Sequence, residues 1–233
     1  MTQLDRSGAL VDLSGPIGKN MWHYAAPYFE PRLGVLPQPP WLADPIYSEV
    51  IEMPLQSGTY LETAAHVDPE RERIPDVALE RVVLVPAIAV RVQAGRLAAV
   101  DRDEVEQAVR AVAAPPYTGF ALLIGTGWSE RWAEEDFVGD GPYLTEAVID
   151  FVVEERFGIL GGDFPRFDNP RDPSGHLHKL FATSTLLLAP LYDLAQLGDR
   201  SGRLIAAPLR IDGASATPVR AVWVSGAPEA SQL

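Results

Sequence analysis

The stretch on which the fold prediction depends spans residues 55–66 and reads Leu55-Gln56-Ser57-Gly58-Thr59-Tyr60-Leu61-Glu62-Thr63-Ala64-Ala65-His66. It follows a strand-like run, Val50 to Leu55, and contains a turn glycine, Gly58. Polar groups gathered at the end of a strand are typical of pockets in α/β folds. Spacing alone leaves two interpretations of His66 open, a catalytic residue or a structural histidine bonded to the backbone.

Outside this stretch, runs rich in Val, Ile and Leu and bounded by Gly, Pro or charge predict further strands. They span Val82 to Val92, Phe120 to Gly125, Ile159 to Gly162, Leu186 to Leu191, Leu204 to Ile211 and Val219 to Val224. Apolar residues at helical spacing predict two helices, one capped by Asp101 and running to about Ala113, the other from Thr145 to Phe157 and ended by Gly158. A shorter helix is expected over His176 to Phe181. Strands outnumber helices, which indicates a mixed α/β fold.

Residues 15–47 are rich in proline and aromatic side chains and predict a long irregular arm within a single domain covering 1–233. A structureless stretch of this length is usually functional. Its aromatic residues could line a pocket or contact a partner subunit, and an ordered surface loop is the alternative. We therefore expect a homodimer or a higher homo-oligomer.

Composition and charge argue against two classes of partner, nucleic acids and membranes. The chain has 233 residues, a formal net charge of −13 and no cysteine. The acidic balance argues against a nucleic-acid partner, because phosphate contacts need clustered Lys and Arg. No apolar run approaches the ~20 residues of a membrane span. The sequence thus predicts a soluble cytoplasmic protein with neither a nucleic-acid nor a membrane partner.

Residues 55–66 resemble the signature of the cyclase family, which includes bacterial kynurenine formamidases and isatin hydrolases. That signature runs His-x-Gly-Thr-His-x-Asp-x-Pro-x-His, and this chain keeps Gly58, Thr59 and His66 at the same spacing. Further segments resemble the family in the same order, namely Val11 to Ile17, Ala121 to Trp128 with Arg131-Trp132, Gly161-Gly162-Asp163, Phe167-Asp168, His178 to Phe181 and Asp193 to Leu197. The resemblance implies a swivelling β/β/α-like α/β domain with a mixed sheet. It also implies oligomers, often dimers that exchange N-terminal segments.

The metal site that the resemblance implies is degraded. In the family, two His and the Asp of the signature are metal ligands, and here those positions hold Gln56, Tyr60 and Glu62. Gln and Tyr are poor zinc ligands. We expect no resident cofactor, with a sparse zinc or manganese site built from Glu62, His66 and His178 as the alternative.

The position that acts as general acid/base in the family is kept as His66, whose imidazole moves protons near neutral pH. Glu62 is expected to orient or charge it, Tyr60 to donate to a carbonyl oxygen, and Gln56 to hold a substrate carbonyl. The predicted substrate-binding residues are Trp22, His23, Tyr24, Thr59 and His178.

These residues predict a cyclase-family enzyme that cyclises, opens or hydrolyses a small carbonyl compound by metal-independent acid/base chemistry. Two alternatives stay open. One is a metal-dependent amide or ring hydrolase with a rearranged site, and the other is an inactive member that only binds a ligand.

Overall fold

The computed structural model of the chain describes residues 10–172 and 175–225. The described strands are β1 (Leu10–Asp12), β2 (Arg32–Val35), β3 (Glu49–Glu52), β4 (Tyr60–Glu62), β5 (Val85–Arg91), β6 (Ala99–Val100), β7 (Ala121–Gly125), β8 (Tyr143–Leu144), β9 (Ile159–Gly162), β10 (Leu186–Ala189), β11 (Arg200–Ile205), β12 (Ala216–Pro218) and β13 (Val222–Val224). The described α-helices are α1 (Arg102–Val112), α2 (Glu146–Glu154) and α3 (Leu177–Phe181). None of the helices in these ranges is long and apolar enough to cross a membrane.

Nine of these strands form one mixed sheet in the order β1-β13-β11-β5-β7-β9-β10-β4-β12. The four central strands β5, β7, β9 and β10 are parallel, and the flanking pairs are antiparallel. Parallel neighbours need a crossover connection, and each of the three steps carries one helix, α1, α2 or α3. The mixed α/β fold predicted from the sequence is confirmed.

Alternate residues of the central strands enter two separate cores, as the period of a strand requires. On β7, Leu122 and Ile124 pack into the same core as the apolar faces of the helices, whereas Ala121 and Leu123 pack into the core on the other face. The helices therefore cover one face of the sheet.

Several predicted boundaries are wrong for local reasons. The strand expected over Leu204 to Ile211 is β11, which begins at Arg200 because its polar half pairs with β5. The helix expected to end at Gly158 ends at Glu154, and Arg156 has a φ of 60°. Asp101 stands at the N-cap of α1, but its side chain makes no capping hydrogen bond.

The segment directly after β1, residues 13–15, forms hydrogen bonds to parts of the chain that are distant in the sequence. The backbone N–H of Leu13 donates to the Ala221 carbonyl, and the Leu13 carbonyl accepts from Tyr192. The Gly15 N–H donates to Thr59 Oγ1 at 3.0 Å, and that hydroxyl donates to the Pro190 carbonyl at 2.7 Å. These bonds fix the chain at the entrance to β4.

The expected irregular arm has two parts. Its first part packs on the domain, with Met21 and Trp22 buried. Its second part contains β2, which pairs with β3 in a separate two-stranded hairpin that the sequence did not predict. The hairpin and its connection expose large apolar side chains, among them Leu33 (72%), Trp41 (81%) and Tyr47 (90%). An isolated two-stranded hairpin is marginal in water, and exposed apolar patches commonly mark interaction surfaces.

We expect this hairpin to pack on a second copy of the chain, so that the protein sediments as an oligomer at micromolar concentration. A Leu33→Ser/Trp41→Ser variant should shift it towards the monomer, because the apolar contact is lost. Leu209→Ser, which alters an exposed leucine outside the hairpin, is the control and should leave assembly unchanged. A monomeric unmodified chain would contradict the expectation.

Candidate active site

A cavity of about 730 Å³ opens next to β4. Its volume lies within the range of small-molecule sites. Its walls come from the arm, from residues 56–67, from the segments 135–139 and 165–168, and from α3 and β10. The lining residues that matter below are His23, Tyr24, Tyr28, Gln56, Tyr60, Glu62, His66, Glu135, Arg166, Phe167, Asp168, His178 and Phe181.

Strand β4 determines which side chains reach the cavity. It lies between β10 and β12, and all three of its residues are buried. Leu61 packs into the core on the far face of the sheet, whereas Tyr60 belongs to the core beneath the helices. Since side chains alternate along a strand, Glu62 points to the same side as Tyr60, and both line the cavity.

Glu62, His66 and Gln56 meet in one hydrogen-bonded cluster. A short helical turn, Ala64–His66, follows β4 and brings His66 Nδ1 within 3.2 Å of Glu62 Oε1. Gln56 Nε2 lies 3.5 Å from the same oxygen and 3.3 Å from Nδ1. His66 is about 37% exposed on its side chain, and Nε2 makes no hydrogen bond with a described residue. The second ring nitrogen is therefore free to meet a ligand.

Burial places the pKa of Glu62 above that of His66, the reverse of the usual order for a glutamate and a histidine. Loss of solvation raises the pKa of Glu62 to about 7, and the Gln56 hydrogen bond offsets only part of the effect. Partial desolvation lowers the pKa of His66 below its usual 6.5. Both shifts follow from the cost of placing charge away from water. Near neutral pH the pair therefore holds one exchangeable proton.

The two tyrosines beside this cluster form a directed hydrogen-bond chain. Tyr24 donates to the Pro165 carbonyl at 2.7 Å and lies 3.0 Å from the Tyr60 hydroxyl. A phenol has one proton, so Tyr60 must donate to Tyr24. Burial raises the pKa of both hydroxyls, which keeps both neutral. In this arrangement Tyr60 offers the cavity an acceptor and not the donor that the sequence predicted.

The other predicted site residues divide into two groups. His23 and His178 line the cavity together with Tyr24. Thr59 does not line it, because its hydroxyl serves the backbone contacts at the entrance to β4. Trp22 does not line it either, since its indole packs edge-on against Tyr24 and Trp132.

Sequence reasoning gave no role to Arg166, Phe181 or Glu135, which all line the cavity. Arg166 lies between Asp163 and Phe167-Asp168, two segments that resemble the family, but nothing in its own spacing indicated a site. Asp163 itself is fully buried and accepts from Thr126 and Gly127. Its carboxylate anchors the turn after β7 and does not line the cavity.

The residues present do not fit the metal site that the family resemblance implies. Across residues 10–172 and 175–225, no three His, Asp or Glu side chains come close enough together to hold a metal ion. The alternative set Glu62, His66 and His178 is therefore not assembled. At the implied ligand positions, Gln56 donates an amide N–H to Glu62, and Tyr60 is a neutral phenol bonded to Tyr24.

Comparison with known proteins identifies a matching family and a relative of known activity. A family model described as "Putative cyclase" matches residues 11–169. A kynurenine formamidase of Bacillus thuringiensis (strain Al Hakam) is 26% identical over 175 residues, which cover 74% of this chain and 77% of that protein.

Two solved structures share the architecture. An isatin hydrolase bound to the product analogue thioisatinate aligns with a TM-score of 0.81 and 18% identity, covering 94% of each chain. A protein described as a potential metal-dependent hydrolase with cyclase activity aligns with a TM-score of 0.74 and 17% identity, covering 93% of this chain and 98% of the other.

Glu62→Gln is expected to weaken the dependence of the free energy of unfolding on pH. The folded chain holds a proton on Glu62 up to about pH 7, whereas an exposed glutamate releases it near 4.5. This contribution to stability is therefore present at pH 5 and lost by pH 8, a difference of about 2 kcal/mol. Urea titrations at the two pH values measure it. Glu135→Gln, which alters an exposed carboxylate of the same cavity, is the control. If wild type and Glu62→Gln lost the same free energy of unfolding between pH 5 and pH 8, the raised pKa of Glu62 would be contradicted.

Proposed function

Because this chain belongs to the putative cyclase family, we propose that it is an enzyme that opens, closes or hydrolyses a small carbonyl compound by proton transfer through Glu62 and His66. The single observation that carries the proposal is the contact of 3.2 Å between His66 Nδ1 and the buried Glu62 carboxyl. Relatives of the chain are hydrolases, including a kynurenine formamidase. The nature of the bond broken or formed, and independence from a metal, belong to the proposal.

The pair can act as a base without creating a buried charge pair. With Glu62 ionised, the Nδ1–H of His66 donates to the carboxylate and Nε2 carries a lone pair. Nε2 takes a proton from a substrate O–H, N–H or water, and the Nδ1 proton passes to Glu62. The result is a neutral imidazole beside a neutral carboxylic acid, which burial favours over two charges. Reversing both transfers returns the proton to the leaving oxygen or nitrogen.

Gln56 and Tyr60 support this cycle. The Gln56 amide lies beside both members of the pair, so it can stabilise the ionised carboxylate of Glu62. The oxygen of Tyr60 can accept a hydrogen bond from the second proton of a water molecule or NH₂ group whose first proton His66 removes, since the proton of Tyr60 is itself donated to Tyr24. We therefore expect Tyr60 to orient the reacting group.

The donor set favours chemistry without a resident metal. An amide nitrogen and a neutral buried phenol replace groups that bind zinc well. We expect the purified protein to contain well under one zinc or manganese ion per chain after mild chelation and to keep its activity. Elemental analysis with a parallel assay measures both. About one metal per chain, with activity lost on stripping and restored by the ion, would favour the metal-dependent hydrolase.

The catalytic prediction concerns His66 and uses a screen of formamides, lactones and cyclisable polycarbonyl compounds to find a substrate. His66→Ala should lower kcat by about 100-fold or more, in line with general acid–base contributions. In the wild type, kcat should rise with pH to a plateau with a midpoint near the Glu62 pKa of about 7. In Glu62→Gln the plateau should be lower and the midpoint should fall below 6.5, because His66 titrates alone with a lowered pKa.

His176→Ala is the matched control. His176 stands at the N-cap of α3 and is not among the cavity-lining residues, so turnover and pH profile should stay unchanged. Normal turnover by His66→Ala would refute the acid/base assignment. Compounds that bind the wild type without being turned over would favour an inactive ligand-binding member.

A further inference from the structure

The arm brings one hydroxyl to the cavity that the proton-transfer pair does not use, that of Tyr24. Residue 24 is 141 positions from Pro165 and 36 positions from Tyr60 in the sequence. Its hydroxyl nevertheless lies 2.7 Å from the Pro165 carbonyl and 3.0 Å from the Tyr60 hydroxyl. A residue of the arm is therefore bonded directly to the residue of β4 that stands beside Glu62 and His66 in the cavity lining.

Packing holds the Tyr24 ring in one place. The ring meets Trp22 edge-on at 5.3 Å and Tyr28 edge-on at 5.4 Å. Trp22 is itself buried in the core beneath the helices. Edge-to-face contacts of this kind favour one relative orientation of the rings, so the Tyr24 hydroxyl stays between the Pro165 carbonyl and the Tyr60 hydroxyl.

The Pro165 carbonyl decides which way the hydrogen bonds run, because a carbonyl oxygen can only accept. Among the described residues, Tyr24 supplies the one hydrogen bond to this oxygen. Pro165 is buried, and the rings of Phe164 and Phe167 on either side of it pack at 4.9 Å. Turning the Tyr24 proton towards Tyr60 would leave the carbonyl of a buried residue without a donor, which is costly.

Tyr60 has no second acceptor for its proton within the described part of the chain, where its hydroxyl bonds to Tyr24 alone. Burial raises the pKa of both phenols, so both keep their protons. The order of donation is therefore Tyr60 to Tyr24 to Pro165. Without the Tyr24 hydroxyl, the Tyr60 proton would turn into the cavity, and Tyr60 would present a donor where it now presents an acceptor.

We propose that Tyr24 is a positioning residue, which fixes Tyr60 as a hydrogen-bond acceptor beside His66. The site then favours a water molecule or an NH₂ group at this point over a carbonyl oxygen, which needs a donor. The arm thereby acts on the chemistry through Tyr60. The effect on turnover rests on the proposed function, whereas the direction of the hydrogen bonds is measurable in the free protein.

The test follows the tyrosine hydroxyl protons of the full chain by NMR in Tyr24→Phe and Tyr60→Phe. In the wild type both protons should exchange slowly with water, because each has an acceptor within the protein. Tyr60→Phe should keep the Tyr24 signal, since Pro165 still accepts from it. Tyr24→Phe should abolish the slowly exchanging Tyr60 signal, since that proton then faces the cavity.

Tyr117→Phe is the matched control. The Tyr117 hydroxyl also donates to a backbone carbonyl, that of Ala113 at 2.8 Å, but Tyr117 is not among the cavity-lining residues. Its loss should change neither signal. Loss of the Tyr24 signal in Tyr60→Phe, survival of the Tyr60 signal in Tyr24→Phe, or fast exchange of both protons in the wild type would overturn the inference.

Turnover of a substrate from the screen shows whether Tyr24 acts through Tyr60. Tyr24→Phe should lower kcat roughly 10-fold or more, because the reacting group is misplaced. The double variant Tyr24→Phe/Tyr60→Phe should match Tyr60→Phe within about twofold, since residues that act as a unit do not give additive losses. Tyr117→Phe should turn over normally. Losses that multiply in the double variant would overturn the positioning role.

His66→Ala separates this inference from the proposed function. It should lose turnover and keep both hydroxyl signals, which supports both proposals. Normal turnover in His66→Ala would refute the proton-transfer assignment, whereas the two tyrosine variants would still decide the direction of the hydrogen bonds.

Discussion

The site depends on the position of β4 between β10 and β12. Pairing on both sides buries every residue of this short strand, and alternation sends Leu61 to one core and Tyr60 and Glu62 to the other. The Thr59 hydroxyl fixes the entrance of the strand through Gly15 and the Pro190 carbonyl. A carboxyl group is thereby held away from water by the sheet itself.

Burial of that carboxyl changes what the site can do. An exposed glutamate beside a histidine would be ionised at neutral pH and would simply attract a proton to the ring. Here burial raises the pKa of Glu62 to about 7 and lowers that of His66, so a proton can move between them without a large change in energy. Solved structures with the same fold include one described as a potential metal-dependent hydrolase. In this chain we propose that Glu62 and His66 together carry out the proton transfer.

The sequence predicted the parts of the fold that carry strong local signals. The central parallel strands and the helices α1 and α2 have long apolar patterns, and each appears near its expected place. The strand β4 escaped prediction because it has three residues, two of them polar. In the hairpin, the strand-like run Val50 to Leu55 overlaps β3, whereas β2 escaped prediction because prolines flank it. Gln56, Glu62 and His66 are close in the sequence, and the structure brings their side chains into contact. Arg166 comes from another part of the chain, and only the folded sheet brings it to the cavity.

The measurement that tests this account most directly is an NMR titration of the Glu62 side-chain carboxyl carbon in the full chain, assigned by its loss in Glu62→Gln. The account predicts a midpoint near 7, with the His66 ring changing its chemical shifts over the same pH range because the two groups share a proton. A midpoint near 4.5, with the His66 ring titrating independently, would contradict a buried proton-sharing pair.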